Sequence, residues 1–298
     1  IAQLVKPRDI VLLESTSPVG TTEEVAKILK KNGVNVEEVA IAYCPERVLP
    51  GKIMAELISN DRIVGGITQA STQRAAEFYE TFVEGYVIKS SAKTAEMCKL
   101  AENSFRDINI AFANELSMVC HTHNVDPWEL IRLANHHPRV DILQPGAGVG
   151  GHCIAVDPWF IVAGDRENAN LIKMARQVND SKPKWVIKKI IDRIGALINE
   201  GITAPKVACL GLAFKPDIDD LRESPAAKVV QSLVKLGVTV IAVEPNIQTH
   251  ENFTLCSFEE SLDADLVVVL VKHKEFLIPE NKKRLRGTDI LDFCGVLV

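Results

Sequence analysis

Ala92-Lys-Thr-Ala-Glu-Met-Cys-Lys-Leu-Ala-Glu-Asn-Ser-Phe-Arg-Asp-Ile-Asn-Ile-Ala-Phe-Ala-Asn-Glu-Leu-Ser-Met-Val-Cys-His121 runs thirty residues with a helical apolar period and no glycine or proline. That is far longer than the average helix of about 11–12 residues, and it divides the chain. Before it, short apolar runs alternate with helical stretches: Ile10–Leu13, Val39–Tyr43 and Ile63–Gly66 read as strands, Thr21–Lys31 and Ser71–Phe82 as helices. The alternation predicts a mostly parallel α/β sheet. After it come a short helix over Pro127–Asn135 with Asp126 as N-cap, a glycine-rich loop over Pro145–Gly151, and a helical region from Glu167 to Asn199 that Pro183 is expected to bend or break. From residue 202 the α/β rhythm returns. Lys206–Gly211, Val238–Val243, Leu266–Val271 and Asp289–Phe293 read as strands, and Ser224–Leu236 as a helix opened by Ser224 and Pro225. The expected architecture is α/β: two doubly wound Rossmann-like domains, residues 1–91 and 202–298, joined by a helical middle domain over 92–201. The first of the two is expected to be truncated, because a core strand is reached by Asp9–Glu14.

Composition narrows the function classes. The chain has 298 residues, 47% hydrophobic and 24% charged, with 34 Lys and Arg against 39 Asp and Glu. A net charge of −5 without a basic tract argues against nucleic acid and anionic membranes. No apolar run approaches the roughly 20 residues that span a bilayer. Seven cysteines with no CxxC pair read as reduced intracellular thiols, which points to a cytoplasmic protein.

Four features carry chemistry. Gly146-Ala-Gly148-Val-Gly150-Gly151 matches G-x-G-x-x-G in letters only, since a dinucleotide fingerprint must leave a strand and enter a helix. It reads instead as a tight loop whose backbone N–H groups approach a ligand, phosphate among the options. Cys153 closes that loop beside His152, with Asp157 four residues on; it is either a buried structural thiol or a thiolate nucleophile. Lys99, Asn103 and Arg106 share one face of the long helix. The apolar residues around them (Met97, Leu100, Phe105, Ile108, Ile110, Phe112) predict a heavily buried helix, in which the lysine and asparagine donate to an oxyanion. The alternative is a solvated stripe with Glu102 and Arg106 as an i,i+4 pair. Lys215 and Arg222, past the first C-terminal strand, either grip phosphate or carboxylate or are ordinary loop charges.

Taken together, Glu14-Ser-Thr-Ser-Pro-Val19, Ala42-Tyr-Cys-Pro-Glu-Arg-Val-Leu-Pro-Gly51, Glu96–Arg106, Gly150-Gly-His-Cys-Ile-Ala-Val-Asp157 and Gly211-Leu-Ala-Phe-Lys215 resemble the UDP-glucose/GDP-mannose dehydrogenase family, in that family's order and over nearly the whole chain. The resemblance implies oxidation of a sugar C6 alcohol to a carboxylate in two hydride transfers to NAD, without release of the aldehyde. Asn135-His-His-Pro-Arg139 and His152–Phe160 are worded most like members acting on UDP-N-acetyl-D-mannosamine, for surface polysaccharide; UDP-N-acetylglucosamine and UDP-glucose are the near rivals. By the same resemblance Cys153 matches the nucleophile that traps the aldehyde, and Lys99 the lysine that stabilises the alkoxide. Asn103 and Asp157 match groups at the active-site water, and Glu46 the glutamate assigned to thioester hydrolysis. Thr16 matches a threonine on the nicotinamide side, and Arg222 a contact to NAD phosphate. Arg47, Val48, Arg106, His137, Arg139, Gly148, Gly150 and Lys215 match substrate-contacting positions, with Arg139 expected to reach a neighbouring subunit's site in a homodimer or higher homo-oligomer. The family's strand-glycine-helix NAD fingerprint does not precede Ile10, so a polypeptide beginning there is expected to lack on the order of a hundred residues. Such a chain alone is expected to bind NAD weakly and turn over little. Two rivals of another class stand beside this reading: a UDP-sugar-binding protein without redox activity, and a thiol hydrolase using Cys153 and His152.

Overall fold

The computed structural model describes residues 1–48, 52–251 and 253–298. Its elements in chain order are β1 (Ile10–Leu13), α1 (Thr21–Lys31), β2 (Ala40–Tyr43), α2 (Ile53–Ser59), β3 (Arg62–Gly66), α3 (Gln69–Tyr79), β4 (Val87–Ser91), α4 (Ala92–His123), α5 (Pro127–Ala134), α6 (Asp157–Gly164) and α7 (Asn170–Asn199). Then follow β5 (Lys206–Leu210), α8 (Pro225–Lys235), β6 (Thr239–Val243), α9 (Phe258–Ser261), β7 (Leu266–Val269), α10 (Lys274–Leu277), α11 (Pro279–Leu285) and β8 (Ile290–Asp292). Packing divides the chain into two units, Ile1–Phe105 with Asp157–Asn170, and Arg106–Val156 with Leu171–Val298.

The first unit is built on a four-stranded sheet in the order β1-β2-β3-β4. The β1–β2 and β3–β4 pairings are parallel, but β2 and β3 run antiparallel, Ala42 opposite Gly66 and Tyr43 opposite Gly65. All four residues of β2 are buried, as a central strand covered on both faces requires. Gly65 is obligatory there, because a Cβ would lie 2.2 Å from the Ser91 carbonyl oxygen. The start of α1 has no side-chain cap of its own. Buried Glu96 supplies it from α4, accepting from the Gly20 and Thr22 N–H groups at 2.6 and 2.8 Å and from the Thr22 hydroxyl at 2.6 Å.

In the second unit a wholly parallel sheet has the order β6-β5-β7-β8. Adjacent strands β5 and β7 leave a central strand from which the chain winds both ways, so the switch point lies at the carboxyl end of β5. β7 (Leu-Val-Val-Val) and the last four residues of β5 are fully buried. α8 packs Ala226, Val229, Val230 and Leu233 onto this core, a stripe at helical spacing. Ser224 caps it by accepting from the Ala227 N–H, and Pro225 starts it, as its sequence predicts. α5 likewise opens on Asp126.

Two expectations need correction. Pro183 sits inside α7 without ending it. The helix buries Asn179, Lys182, Val186 and Ile190 around the proline, and that tertiary burial outweighs one missing backbone hydrogen bond. α4 is not buried all round: Met97, Phe105 and Phe112 are 42%, 69% and 53% exposed, while Leu100 is buried. Its periodic apolar residues serve more than one face.

Candidate active site

In the first unit α4 and α6 bring two predicted residues into contact. Asn103, on α4, donates from Nδ2 to Asp157 Oδ2 at 2.5 Å, and both side chains are buried. Burial raises the Asp157 pKa above the usual carboxylate range, while the Asn103 hydrogen bond and the Lys99 charge pull it back toward ionisation. Lys99 is half-buried on the same helix. Tyr43 is a residue that sequence reasoning missed. Its hydroxyl is buried without a hydrogen-bond partner among the described residues, and burial together with Glu96 and Asp157 raises its pKa. A tyrosine ending an all-apolar strand was the available signal.

The segment after β2 is organised by its own backbone. The Glu46 carboxylate accepts from the Arg47 and Val48 N–H groups at 2.6 and 2.8 Å and lies 3.6 Å from buried Arg62. Arg47 forms a two-pronged pair with Glu102, so Glu102 does not make the i,i+4 pair with Arg106 that the helix spacing allowed. A partner 55 residues away presents both its Nε and Nη2 to the carboxylate, which a neighbouring helix turn does not offer. Thr16 is half-buried in the loop between β1 and α1.

In the second unit a cavity of about 360 Å³ opens beyond the carboxyl end of β5. Its walls are the glycine loop over 144–150, Arg106, Ile154, the Ala213–Pro216 segment and the start of α8 at Pro225 and Ala226. Arg106 and Lys215 are exposed and form no ion pair among the described residues, so two cations line one pocket. The glycines are needed for packing as well as for ligand approach. A Cβ on Gly148 would meet Pro225 at 2.8 Å and Pro183 at 2.9 Å, and one on Gly150 would meet the Glu223 carbonyl at 2.7 Å. The loop runs on into a turn that leaves Cys153 exposed; of the other six cysteines four are buried and two half-buried. Behind that turn buried Arg176 pairs with Asp107 and donates to the Ile154 carbonyl at 3.3 Å, fixing the backbone next to the thiol. His137 and Arg139 lie exposed in the turn after α5 and do not line this cavity. Arg222 is held by Asp220, with Nε to Oδ1 at 2.9 Å and Nη2 to Oδ2 at 2.6 Å; the guanidinium brings the Asp220 carboxyl down to about 2.

Residues 1–83, 93–181 and 208–298 match, in turn, the NAD binding, central and UDP binding domains of the UDP-glucose/GDP-mannose dehydrogenase family. The chain belongs to that family. Among its relatives, UDP-N-acetyl-D-mannosamine dehydrogenase of Campylobacter jejuni is 51% identical over 312 residues, spanning 99% of this chain and 74% of the relative. An NDP-N-acetyl-D-galactosaminuronic acid dehydrogenase of Ralstonia solanacearum is also 51% identical, over 99% of this chain and 72% of its own. The solved UDP-D-ManNAc dehydrogenase of Pyrococcus horikoshii superposes with a TM-score of 0.87 at 36% identity, covering 100% of this chain and 71% of that one.

The family's cofactor fits the described residues in part. The loop over 14–20 leaves the carboxyl end of a parallel strand and offers half-buried Thr16 to a ligand. The helix start that follows is closed to a phosphate, because the Glu96 carboxylate already occupies its N–H groups. The junction between β1 and α1 therefore offers no open helix N-terminus to a pyrophosphate.

Proposed function

We propose that this protein carries out the NAD-dependent, two-step oxidation of UDP-N-acetyl-D-mannosamine at C6 to the uronate. The observation that carries the reading is the exposed Cys153 thiol on the same glycine loop that walls a cationic pocket at the switch point of the UDP-binding sheet. Lys215 and Arg106, which line that pocket, take the diphosphate. NAD, when bound, supplies the two-electron acceptor for both oxidations, with Thr16 at its nicotinamide end and Arg222 toward a phosphate.

Each remaining role belongs to a residue of this chain. Lys99 stabilises negative charge on the C6 oxygen as its proton leaves. The Cys153 thiolate adds to the aldehyde carbon: a C–S bond forms, the carbonyl π pair moves to oxygen, and the carbon is again tetrahedral with one C–H bond to lose. After the second oxidation the carbon is a thioester. Asp157, oriented by Asn103, accepts a proton from water as that water attacks, with Glu46 acting in the same hydrolysis. The C–S bond then breaks, the thiolate leaves, and the carboxylate is the product. Arg47, Val48, His137, Arg139, Gly148 and Gly150 complete the substrate contacts.

The same reading makes the protein a homodimer in which Arg139 serves the neighbouring subunit. Its support is exposed Arg139, which forms no ion pair among the described residues, together with Phe112 and Val119, seven residues apart on one face of α4 and 53% and 48% exposed. No helix among the described residues is long and apolar enough to cross a membrane. With NAD and nucleotide-sugar substrates, the cytoplasm is the compartment this chemistry fits. The test is NADH absorbance with UDP-N-acetylmannosamine, UDP-N-acetylglucosamine and UDP-glucose, on the protein joined to the family's NAD fingerprint segment and on the Cys153→Ser variant of the same protein. Two NADH per UDP-N-acetylmannosamine, abolished in the serine variant, is the expected result. Two NADH from another of the sugars reassigns the substrate, and UDP-sugar binding with no NADH from any of them leaves a binding protein.

A further inference from the structure

The loop that carries Lys215 is gripped from behind by a buried polar pair. Glu244 follows β6 and His273 precedes α10; they are 4% and 1% exposed. Glu244 Oε2 accepts from the Leu212 and Ala213 N–H groups at 2.7 and 2.9 Å and from His273 Nε2 at 3.1 Å. His273 Nδ1 in turn accepts from the Asp217 N–H at 3.0 Å, which places the ring proton on Nε2. Asp217 has a left-handed φ of +61°, and its carboxylate accepts from the Lys274 N–H at 2.9 Å. A non-glycine residue persists in that conformation only where its surroundings fix it. Gly211, at φ +87°, opens the segment where a Cβ would meet Val271 at 2.5 Å.

The segment is therefore clamped at 211–213 and again at 217. Phe214 and Lys215 lie between the clamps. Phe214 packs on the glycine loop: a Cβ on Gly150 would stand 2.9 Å from its Cβ, and one on Gly151 would stand 3.1 Å from its ring. Lys215 faces the cavity.

We propose that Glu244 and His273 are positioning residues for the UDP-sugar: by fixing both ends of the 211–217 segment they set Lys215 for the diphosphate and Phe214 against the loop leading to Cys153. Neither touches substrate. The inference rests on the reading that this cavity takes the UDP moiety.

The experiment measures UDP affinity by calorimetry, and KM and kcat with UDP-N-acetylmannosamine, for wild type, Glu244→Gln, His273→Gln and His273→Asn. An Asn oxygen can stand in for Nδ1 and still accept from Asp217, whereas Gln places its amide nearer Nε2. The expectation is that Glu244→Gln and His273→Gln weaken UDP binding and raise KM about tenfold, with kcat changed less than KM, while His273→Asn stays within about threefold of wild type. If Glu244→Gln does not fold, the two His273 variants decide. A folded His273→Gln with wild-type affinity, or a kcat loss equal to the KM change, overturns the inference and leaves the substrate reading intact. A wild-type protein that binds no UDP overturns both.

Discussion

Asn103→Leu removes one hydrogen bond and little volume, and its consequence can be followed to an assay. Asp157 is 3% exposed, and burial already pushes its pKa up. Two groups oppose that push, the Asn103 amide at 2.5 Å and the Lys99 charge. A hydrogen bond to a buried charged group contributes about 1.5–3 kcal/mol, and at roughly 1.4 kcal/mol per decade its loss shifts the ionised-to-protonated ratio about ten- to hundredfold toward the acid. The sign is fixed: removing a donor that favours the carboxylate raises the Asp157 pKa further. If Asp157 must be ionised to take a proton from water, kcat/KM in the acidic part of the pH profile falls by that same ten- to hundredfold. At the alkaline end, where the carboxylate is ionised in either protein, the loss shrinks toward unity. NADH production with saturating NAD across the pH range, wild type against variant, gives the comparison. Superimposable acidic limbs, or a loss that is uniform with pH, would refute the assignment of Asp157 as the proton acceptor.

Three further outcomes follow from particular side chains. Lys182 is 2% exposed, donates to the Ser117 hydroxyl at 2.5 Å, and is lowered by burial from 10.5 to about 8. Its contribution to stability is present above pH 10.5 and is lost as pH falls to about 8, a difference of about 3 kcal/mol. Wild type should therefore lose that much relative to Lys182→Met in urea titrations between pH 10.5 and 8, and parallel curves would exclude it. Iodoacetamide followed by peptide mapping should label exposed Cys153 first and buried Cys209 and Cys294 last, burial raising both thiols; early loss of either would contradict the core packing. Glu96→Gln, which weakens three hydrogen bonds at the start of α1, should cost about 1.5–3 kcal/mol by urea unfolding, and no change would mean that the helix start finds another acceptor.

What was legible in the sequence is what neighbours in the chain decide. Ser224-Pro225 and Asp126-Pro127 announce α8 and α5, and the valine runs announce the buried strands, because capping and apolar period act within a few residues. The loops read as ligand-facing, Gly211–Lys215 and Gly146–Gly151, contribute Ala213–Lys215 and Gly146–Gly150 to one cavity. The unseen part is long-range. Nothing in the local pattern shows Glu96 capping a helix 74 residues earlier, or Glu102 taking Arg47 in preference to Arg106 one turn away. The reversed β3 follows from a return path that no strand propensity encodes, and Pro183 stays helical because of what α7 buries.

That division carries over to the chemistry. The groups proposed to react, Cys153 and Lys99, are singled out by residue type and motif. The groups that hold the motifs in place are carboxylates and imidazoles at the ends of other elements, Glu96 on α4 and the Glu244–His273 pair behind β5, and each looks like an unremarkable charge in its own stretch of chain. A buried carboxylate left without its donors costs more than it contributes when satisfied, so each of these groups ties its loop to one geometry. Substitutions in this protein should accordingly separate into two kinds. Changes at Cys153 or Lys99 should remove chemistry and leave UDP affinity standing, whereas changes at Glu244 or His273 should move affinity first, since Lys215 is carried by a loop that this pair holds at both ends.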